Sequence, residues 1–561
     1  MPLRPPSREE LRGLGEDLRL ALSEAELEQF VELTAGQHED YEAVRAYEPP
    51  RRLGGDEVRE RSAGQRVTPG EDPHNAWVTR CTVRGAGDGD GSADDGTNDD
   101  GANDNGANDD GANDDGANDD GANDDGANDD GANDDDNGVD DDSGADKALA
   151  GWEVGVKDNI CVAGVEMTCG SAVVEGYVPD VDATIVTRML DAGATVVGKT
   201  NMDDMGMTTT GHSAFGPILH PDEPDRLAGG SSGGSAVAVA TGEVDAALGT
   251  DQGGSIRIPA AYCGVVGLKP TYGLVPYTGS VGLEHLVDHP GPMAPDVASV
   301  ARLLSVLAGG TDHDPRQSMV IPDEQYEEAL DADVSGLSIG VLEEGFERPD
   351  GEAAVERRVR EAIETLADAG AETEPVSVPM HADARSFHSV LAAEGLVASL
   401  MGEGLGHGMK GWYNRTWVDA FGKFRRAHGG EFPAALKRTL LQGAYTSERY
   451  HSRYYARAMN LVLELTDRYD ELLEAHDLLA MPTVAALPPV HDPTADEFDR
   501  LRDDREASNT AAFNRTGHPA VSVPAGTAEG FPVGLQLVGA RFDDSTVLNA
   551  AYALEQARSS S

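Results

Sequence analysis

From residue 148 onward, short apolar runs of strand character alternate with amphipathic runs of helical spacing. "GWEVGV" reads as a strand, "DATIVTRMLDAG" as a helix and "ATVVGKT" as a strand again. "SAVAVATGE" has the small residues of a closely packed helix, and "VDAALGTD" follows as a strand. The pattern continues through "DVASVARLLSVLAGG", "LSIGVLEE" and "EAAVERRVREAIETLADAGAET", with late strands at "DLLAMPTVA" and "PAVSVPAG". A chain that switches repeatedly between periods of 2 and 3.6 buries both kinds of apolar face by layering helices on a sheet. A large α/β core is therefore expected, with 385–475 as a mostly helical subregion over one side.

The first 75 residues read as a helical N-terminal region. "SREELRGLGEDLRLAL" and "SEAELEQFVELTAGQHEDYEAVRAY" each begin at a serine with glutamate three residues on, a capping signal. "AWVTRCTV", 76–83, alternates like a strand. Then seven five-residue units, "GANDN" once and "GANDD" thereafter, fill 101–135. Alanine is the sole apolar residue of each unit, too little to build the core of a repeat coil. Residues 85–147 are expected to be a solvated, disordered insertion in a surface loop. The core then comprises 76–84 and 148–561.

That insertion carries 24 Asp, yet it does not account for the formal net charge of −58. Only seven of the 43 basic residues are lysine. Such an acidic surface argues against direct nucleic-acid or anionic-membrane binding, and points to a halophilic protein whose self-repulsion is screened by salt. Cys81, Cys161, Cys169 and Cys263 form no C-x-x-C pair, so buried free thiols are expected. With no apolar leader and no run of about 18 apolar residues, a cytoplasmic location without membrane association is expected.

"GATVVGKT", 193–200, matches the phosphate-loop pattern letter for letter. Its order is wrong: a helix precedes the first glycine, and Ala-Thr-Val-Val are strand residues where the phosphate nest needs a loop. The chemistry lies instead in two clusters, "GGSSGGSAVAVATG" at 229–242 and "GTDQGGSIRIPA" at 249–260. Both sit between apolar runs that must pack, which excludes a flexible linker. The backbone N–H groups of Gln252, Gly253, Gly254 and Ser255 can converge on a developing oxyanion if the chain curls there. Ser255 needs a proton acceptor, and no histidine stands in an obvious triad context. Lysine is another partner for a serine nucleophile, and "VGVKDNI" puts Lys157 at the end of an apolar strand.

Together, "VKDNI", "GGSSGGSA" and "GTDQGGSIRIPAAYCGVVGLKPTYG" resemble the amidase signature family. "GKTNMDD", "GLVPYTGSVGLEHLVDHPGPMAPDV", "DPRQ" and "FNRTGHPAVSVPAG" extend the resemblance over most of the chain outside 85–147. The resemblance implies an α/β/α sandwich around a large mixed β-sheet. It implies Ser255 as nucleophile, Ser231 as a cis-serine bridge and Lys157 as base, with oxyanion amides at Gln252, Gly253, Gly254 and Ser255. It implies hydrolysis of a small carboxylic amide through an acyl-enzyme, without metal or cofactor, by a homodimer. The helical N-terminus is similar to that of broad-spectrum and enantioselective amidases. The A subunit of a glutamyl/aspartyl-tRNA amidotransferase is the alternative. Asp251 and Arg257 are expected to form a salt link holding the loop, and Ser232 to lend a further hydrogen bond. His212, His285, His289 and His518 read as structural. "GHGMKGWYN" is a candidate wall of the substrate pocket.

Overall fold

The computed structural model describes residues 4–17, 20, 22–33, 60–85 and 147–559, except 283, 318–319, 323, 347, 350 and 504–508. The acidic repeat expected to be a disordered loop lies outside the described residues, as does 34–59.

Helix α1 (Arg8–Asp17) and helix α2 (24–33) form where the capping signals place them. Glu10 Oε2 accepts from Ser7 N at 2.8 Å, and Ser7 Oγ accepts from Glu10 N at 3.3 Å. Ser23 and Glu26 repeat the exchange at 2.8 and 3.3 Å. The region is not helical throughout. β1 (Glu60–Arg61) and β2 (Gln65–Arg66) pair with β3 (Trp77–Arg84). Both are exposed edge strands with no buried face, so they carry no apolar period to mark them.

The remaining strands are β4 (Glu153–Lys157), β5 (Thr195–Thr200), β6 (His212–Ser213), β7 (Gly216–Pro217) and β8 (Ala246–Asp251). They continue with β9 (Val266–Lys269), β10 (His289–Ala294), β11 (Ser338–Leu342) and β12 (Glu372–Val376). β13 (Leu478–Pro482), β14 (Ala520–Ala528) and β15 (Phe531–Gly539) complete the set. All but β6 and β7 join one 13-stranded mixed sheet, ordered β1-β3-β5-β4-β8-β10-β9-β14-β15-β13-β11-β12 with β2 on β3. β4 runs parallel to both β5 and β8, while β10 pairs with β8 antiparallel.

Helices cover both faces. α3 (Thr184–Asp191), α6 (Val297–Leu307), α7 (Ala353–Asp368) and α14 (Asp544–Ser559) pack on one. α4 (Gly233–Ala240) and α5 (Arg257–Cys263) pack on the other. The larger core joins Val154, Val156 and Leu248 of the sheet to Leu303, Leu304 and Leu548 of the first helical layer. Ala236, Val237 and Val239 of α4 pack with Ala247 and Met293 on the opposite face. Each fully buried Val or Leu contributes roughly 1.5–3 kcal/mol, which is why the central strands β4 and β8 show almost no polar alternation. The helical subregion comprises α8 (Ala384–Met401), α9 (Arg415–His428), α10 (Ala434–Tyr450) and α11 (Arg453–Leu473), in which α8 packs on α10 and α11 and Ala384, Leu465 and Tyr469 join the larger core; α12 (Glu497–Asp503) and α13 (Ala511–Thr516) follow. Among the described residues, no helix is long and apolar enough to cross a membrane. All four cysteines are buried free thiols.

Candidate active site

Parallel strands β4 and β8 end at the same edge of the sheet, the edge where open α/β sheets bind ligands. Lys157 is the last residue of β4, and Asp251 ends β8 directly before Gln252, Gly253, Gly254 and Ser255. Between them, Ser231 precedes α4 after a cis Gly230–Ser231 peptide. Ser231 and Lys157 are fully buried, and Ser255 is 3% exposed.

Lys157 Nζ lies 2.8 Å from Ser231 Oγ and donates to Thr250 O at 3.0 Å. Burial pushes the amine down to about 7, against the opposing pull of Asp203, Asp251 and Asp288. That displacement disfavours the ammonium by roughly 5 kcal/mol relative to water. The carbonyl of Thr250 can only accept, so it takes one N–H of the neutral amine and leaves the lone pair for the serine hydroxyl.

Asp203 buttresses the cis-serine from behind. Its carboxylate accepts from Thr210 N at 3.0 Å, from Gly211 N at 3.0 and 3.1 Å, and from Thr208 Oγ1 at 2.5 Å. A β-carbon at Gly230 would come within 2.0 Å of Asp203 Oδ1. The carboxylate is held by these three residues and cannot retreat cheaply. Gly230→Ala is therefore expected to destabilise the fold by about 1–3 kcal/mol, in the range of core overpacking. Thermal unfolding by circular dichroism checks this, and an unchanged midpoint would contradict the close approach of Asp203.

The loop carrying Ser255 is fastened by a buried ion pair. Arg257 Nε donates to Asp251 Oδ2 and Nη2 to Asp251 Oδ1, both at 3.0 Å, with neither side chain exposed. Arg257 also reaches Gln536 Oε1 at 2.8 Å and Asn514 Oδ1 at 2.7 Å, while Asn514 Nδ2 returns to Asp251 Oδ1 at 2.8 Å. Burial alone would raise the Asp251 carboxyl, but Arg257 and Asn514 hold it well below the usual carboxylate range. The expected salt link is present and wholly desolvated.

One expected oxyanion donor is engaged elsewhere. Gly254 N donates to Asp251 Oδ1 at 2.6 Å, because the Asp251 carboxylate folds back under the loop and takes both that amide and Ile256 N. The φ of +131° at Gly254 shapes this turn, and a β-carbon there would meet Thr510 Oγ1 at 2.3 Å. Thr510 Oγ1 in turn donates to Gly253 O at 2.5 Å, fixing the preceding peptide. Ser232 lends its hydrogen bond to strand β8. Its hydroxyl donates to Thr250 O at 3.1 Å and accepts from Thr250 N at 3.3 Å, tying α4 to β8.

Ser255, Gln252 and Gly253 open onto a cleft of about 640 Å³. Helices α8 and α10 line it through Arg385, His388, Leu396, Arg438 and Gln442. The glycine-rich "GHGMKGWYN" segment does not line it. Met409, Trp412 and Tyr413 instead close a separate small cavity with Tyr277, His285 and Arg316. Glycine-rich sequence suggests a loop at the site, but α8 before the segment and α10, one helix beyond it, supply the cleft residues instead. The four histidines read as structural have local partners. His285 Nε2 meets Leu405 O, His289 Nδ1 meets Val287 O, His518 Nδ1 meets Thr516 Oγ1 and His212 Nδ1 meets Thr210 Oγ1. Lys199, of the phosphate-loop look-alike, is a buried strand residue whose Nζ donates to Ile160 O at 2.7 Å.

Asp203, Asn514, Gln536 and His388 were not among the sequence candidates. Two of them stand inside motif stretches: Asp203 in "GKTNMDD", three residues past the end of β5, and Asn514 in "FNRTGHPAVSVPAG".

A family model described as Amidase matches residues 130–548. The A subunit of glutamyl-tRNA(Gln) amidotransferase from Haloarcula marismortui is 44% identical over 414 residues, covering 73% of this chain and 96% of that protein. An enantioselective amidase of Rhodococcus rhodochrous is 44% identical over 416 residues, covering 72% of this chain and 79% of that protein. Among solved structures, the A subunit of glutamyl-tRNA(Gln) amidotransferase from Thermotoga maritima superposes with a TM-score of 0.62 at 34% identity, over 72% of this chain and 83% of that one.

Proposed function

The chain belongs to the amidase family, and from that premise we propose that Ser255 is its nucleophile, Ser231 its relay and Lys157 its base. The observation that carries this reading is a fully buried amine, held near neutrality, 2.8 Å from a buried serine hydroxyl. Neutral Lys157 takes the proton of Ser231 Oγ as Ser231 takes that of Ser255 Oγ. Ser255 Oγ then bonds to the amide carbon, and the carbonyl π-electrons move to oxygen. The N–H groups of Gln252, Gly253 and Ser255 serve that oxyanion, with Gly254 N left in its bond to Asp251. The tetrahedral species collapses as the C–N bond breaks, and the proton returns through Ser231 to the departing nitrogen. Water repeats the cycle on the ester and releases the acid. Asp251 and Arg257 hold the loop and do not meet substrate.

The product is a carboxylic acid with ammonia or an amine. A second reading draws on the Haloarcula relative, matched over 96% of its length: the chain is the A subunit of an amidotransferase, and its ammonia passes to a partner. Both readings share the chemistry at Ser255 and differ in where the nitrogen goes. Alone, the chain is taken as a cytoplasmic homodimer, with 85–147 as an insertion outside the catalytic unit. The −58 net charge supports operation in concentrated salt.

Ammonia release from a panel of simple amides, by the chain alone in molar salt, tests the first reading. Turnover at about 1 s⁻¹ or faster is expected. Activity that appears only with a further protein component, ATP and charged tRNA would overturn it in favour of the second.

A further inference from the structure

The cleft beside Ser255 has a charge opposite to that of the chain. The protein carries 101 acidic and 43 basic residues, yet the charged side chains that line the cleft, Glu284 apart, are the guanidiniums of Arg385 and Arg438. Glu284 is the one acid among the described lining residues, and it is already spent on Arg515, whose Nη2 lies 2.8 Å from Glu284 Oε2. Both partners are nearly buried, at 7% and 3% exposure, so the pair presents little net charge to a ligand.

Arg515 also fixes the state of His388. Its Nε donates to His388 Nδ1 at 3.3 Å, and Nη2 donates to His388 O at 3.3 Å. A guanidinium can only donate, so Nδ1 is an acceptor and the ring proton sits on Nε2. Burial lowers the ring well below its usual range, and the neighbouring Arg515 and Arg385 guanidiniums push in the same direction. The imidazole is a neutral, one-sided donor. Its Nε2 faces the loop before the nucleophile, 3.4 Å from where a β-carbon on Gly253 would stand. Arg385 lies three residues before His388 on α8, on the same helical face, and Arg438 faces the cleft from α10.

Resting on the amidase reading, we infer that the cleft selects amides whose acyl chain carries a carboxylate, which His388 Nε2–H and the Arg385 and Arg438 guanidiniums receive. His388 is a specificity residue and takes no part in the proton relay. A lone carboxylate bound in water by exposed arginines would be weakened by salt. A directed N–H donor in a partly desolvated cleft keeps its hydrogen bond there.

The test compares glutaramate with its uncharged isostere 5-methylhexanamide at one fixed salt concentration, reading ammonia release. Glutaramate is expected to have at least a tenfold higher kcat/KM, expressed mainly in KM. His388→Phe is expected to reduce that ratio about tenfold, His388→Gln to retain most of it through its amide donor, and exposed Arg438→Gln to reduce it several-fold. Equal or faster hydrolysis of the uncharged amide by the wild type would overturn the inference while leaving the amidase reading standing. A ratio unchanged in both His388→Phe and Arg438→Gln would overturn it too. Hydrolysis of neither amide would overturn the amidase reading itself.

Discussion

Ser255→Ala is expected to lose about 10⁴- to 10⁶-fold in kcat, the scale on which covalent catalysts fail without their nucleophile. The change removes one hydroxyl from a residue that is 3% exposed, and the loop around it is fastened by other groups. Asp251 holds Gly254 N and Ile256 N, Arg257 holds Asp251, and Thr510 holds Gly253 O. The variant is therefore expected to fold with an unchanged melting temperature, and its lost activity to reflect chemistry alone. Ammonia release beside circular dichroism checks both halves. A folded Ser255→Ala protein within tenfold of wild-type activity would end the nucleophile assignment.

Lys157→Met is expected to cost about 10²- to 10⁴-fold, the usual contribution of a general base. Methionine keeps an unbranched stem of similar length, so the buried space is filled while the base is gone. Nothing else among the described groups near Ser231 replaces it. Asp203, its nearest acid by effect on the Lys157 amine, is already occupied by Thr208, Thr210 and Gly211. The destabilisation should be small, because the lysine amine is buried at the expense of its charged form and methionine bears no such cost. A Lys157→Met protein with near wild-type turnover would show that the proton of Ser255 leaves by another route.

Much of the site could be read from local sequence, for a physical reason. Lys157, Ser231 and Ser255 each lie at a strand end or in a glycine-bounded turn, and their neighbours in sequence are also their structural setting. The layered fold was legible for the same cause: β4 and β8 are continuous apolar runs because both their faces are covered. What escaped depends on residues that only tertiary packing brings together. Asn514 and Gln536 reach Arg257 from more than 250 positions away, and Arg515 sets the tautomer of His388 across 127. No local period marks such pairs. The engagement of Gly254 N escaped because an oxyanion loop and a carboxylate-capped turn use the same glycines. The edge strands β1 and β2 were missed because exposed strands have no buried face to write into the sequence.

The central claim is that a neutral Lys157 drives acylation through Ser231, and the pH dependence of kcat/KM tests it most directly. A base works when deprotonated, so the rate should rise with pH through a single midpoint at about 7, where burial places the amine, and then level off. Lys157→Met should lose that limb along with the rate. A profile flat from about pH 5 to about pH 9, or a limb that survives unshifted in Lys157→Met, would contradict the account.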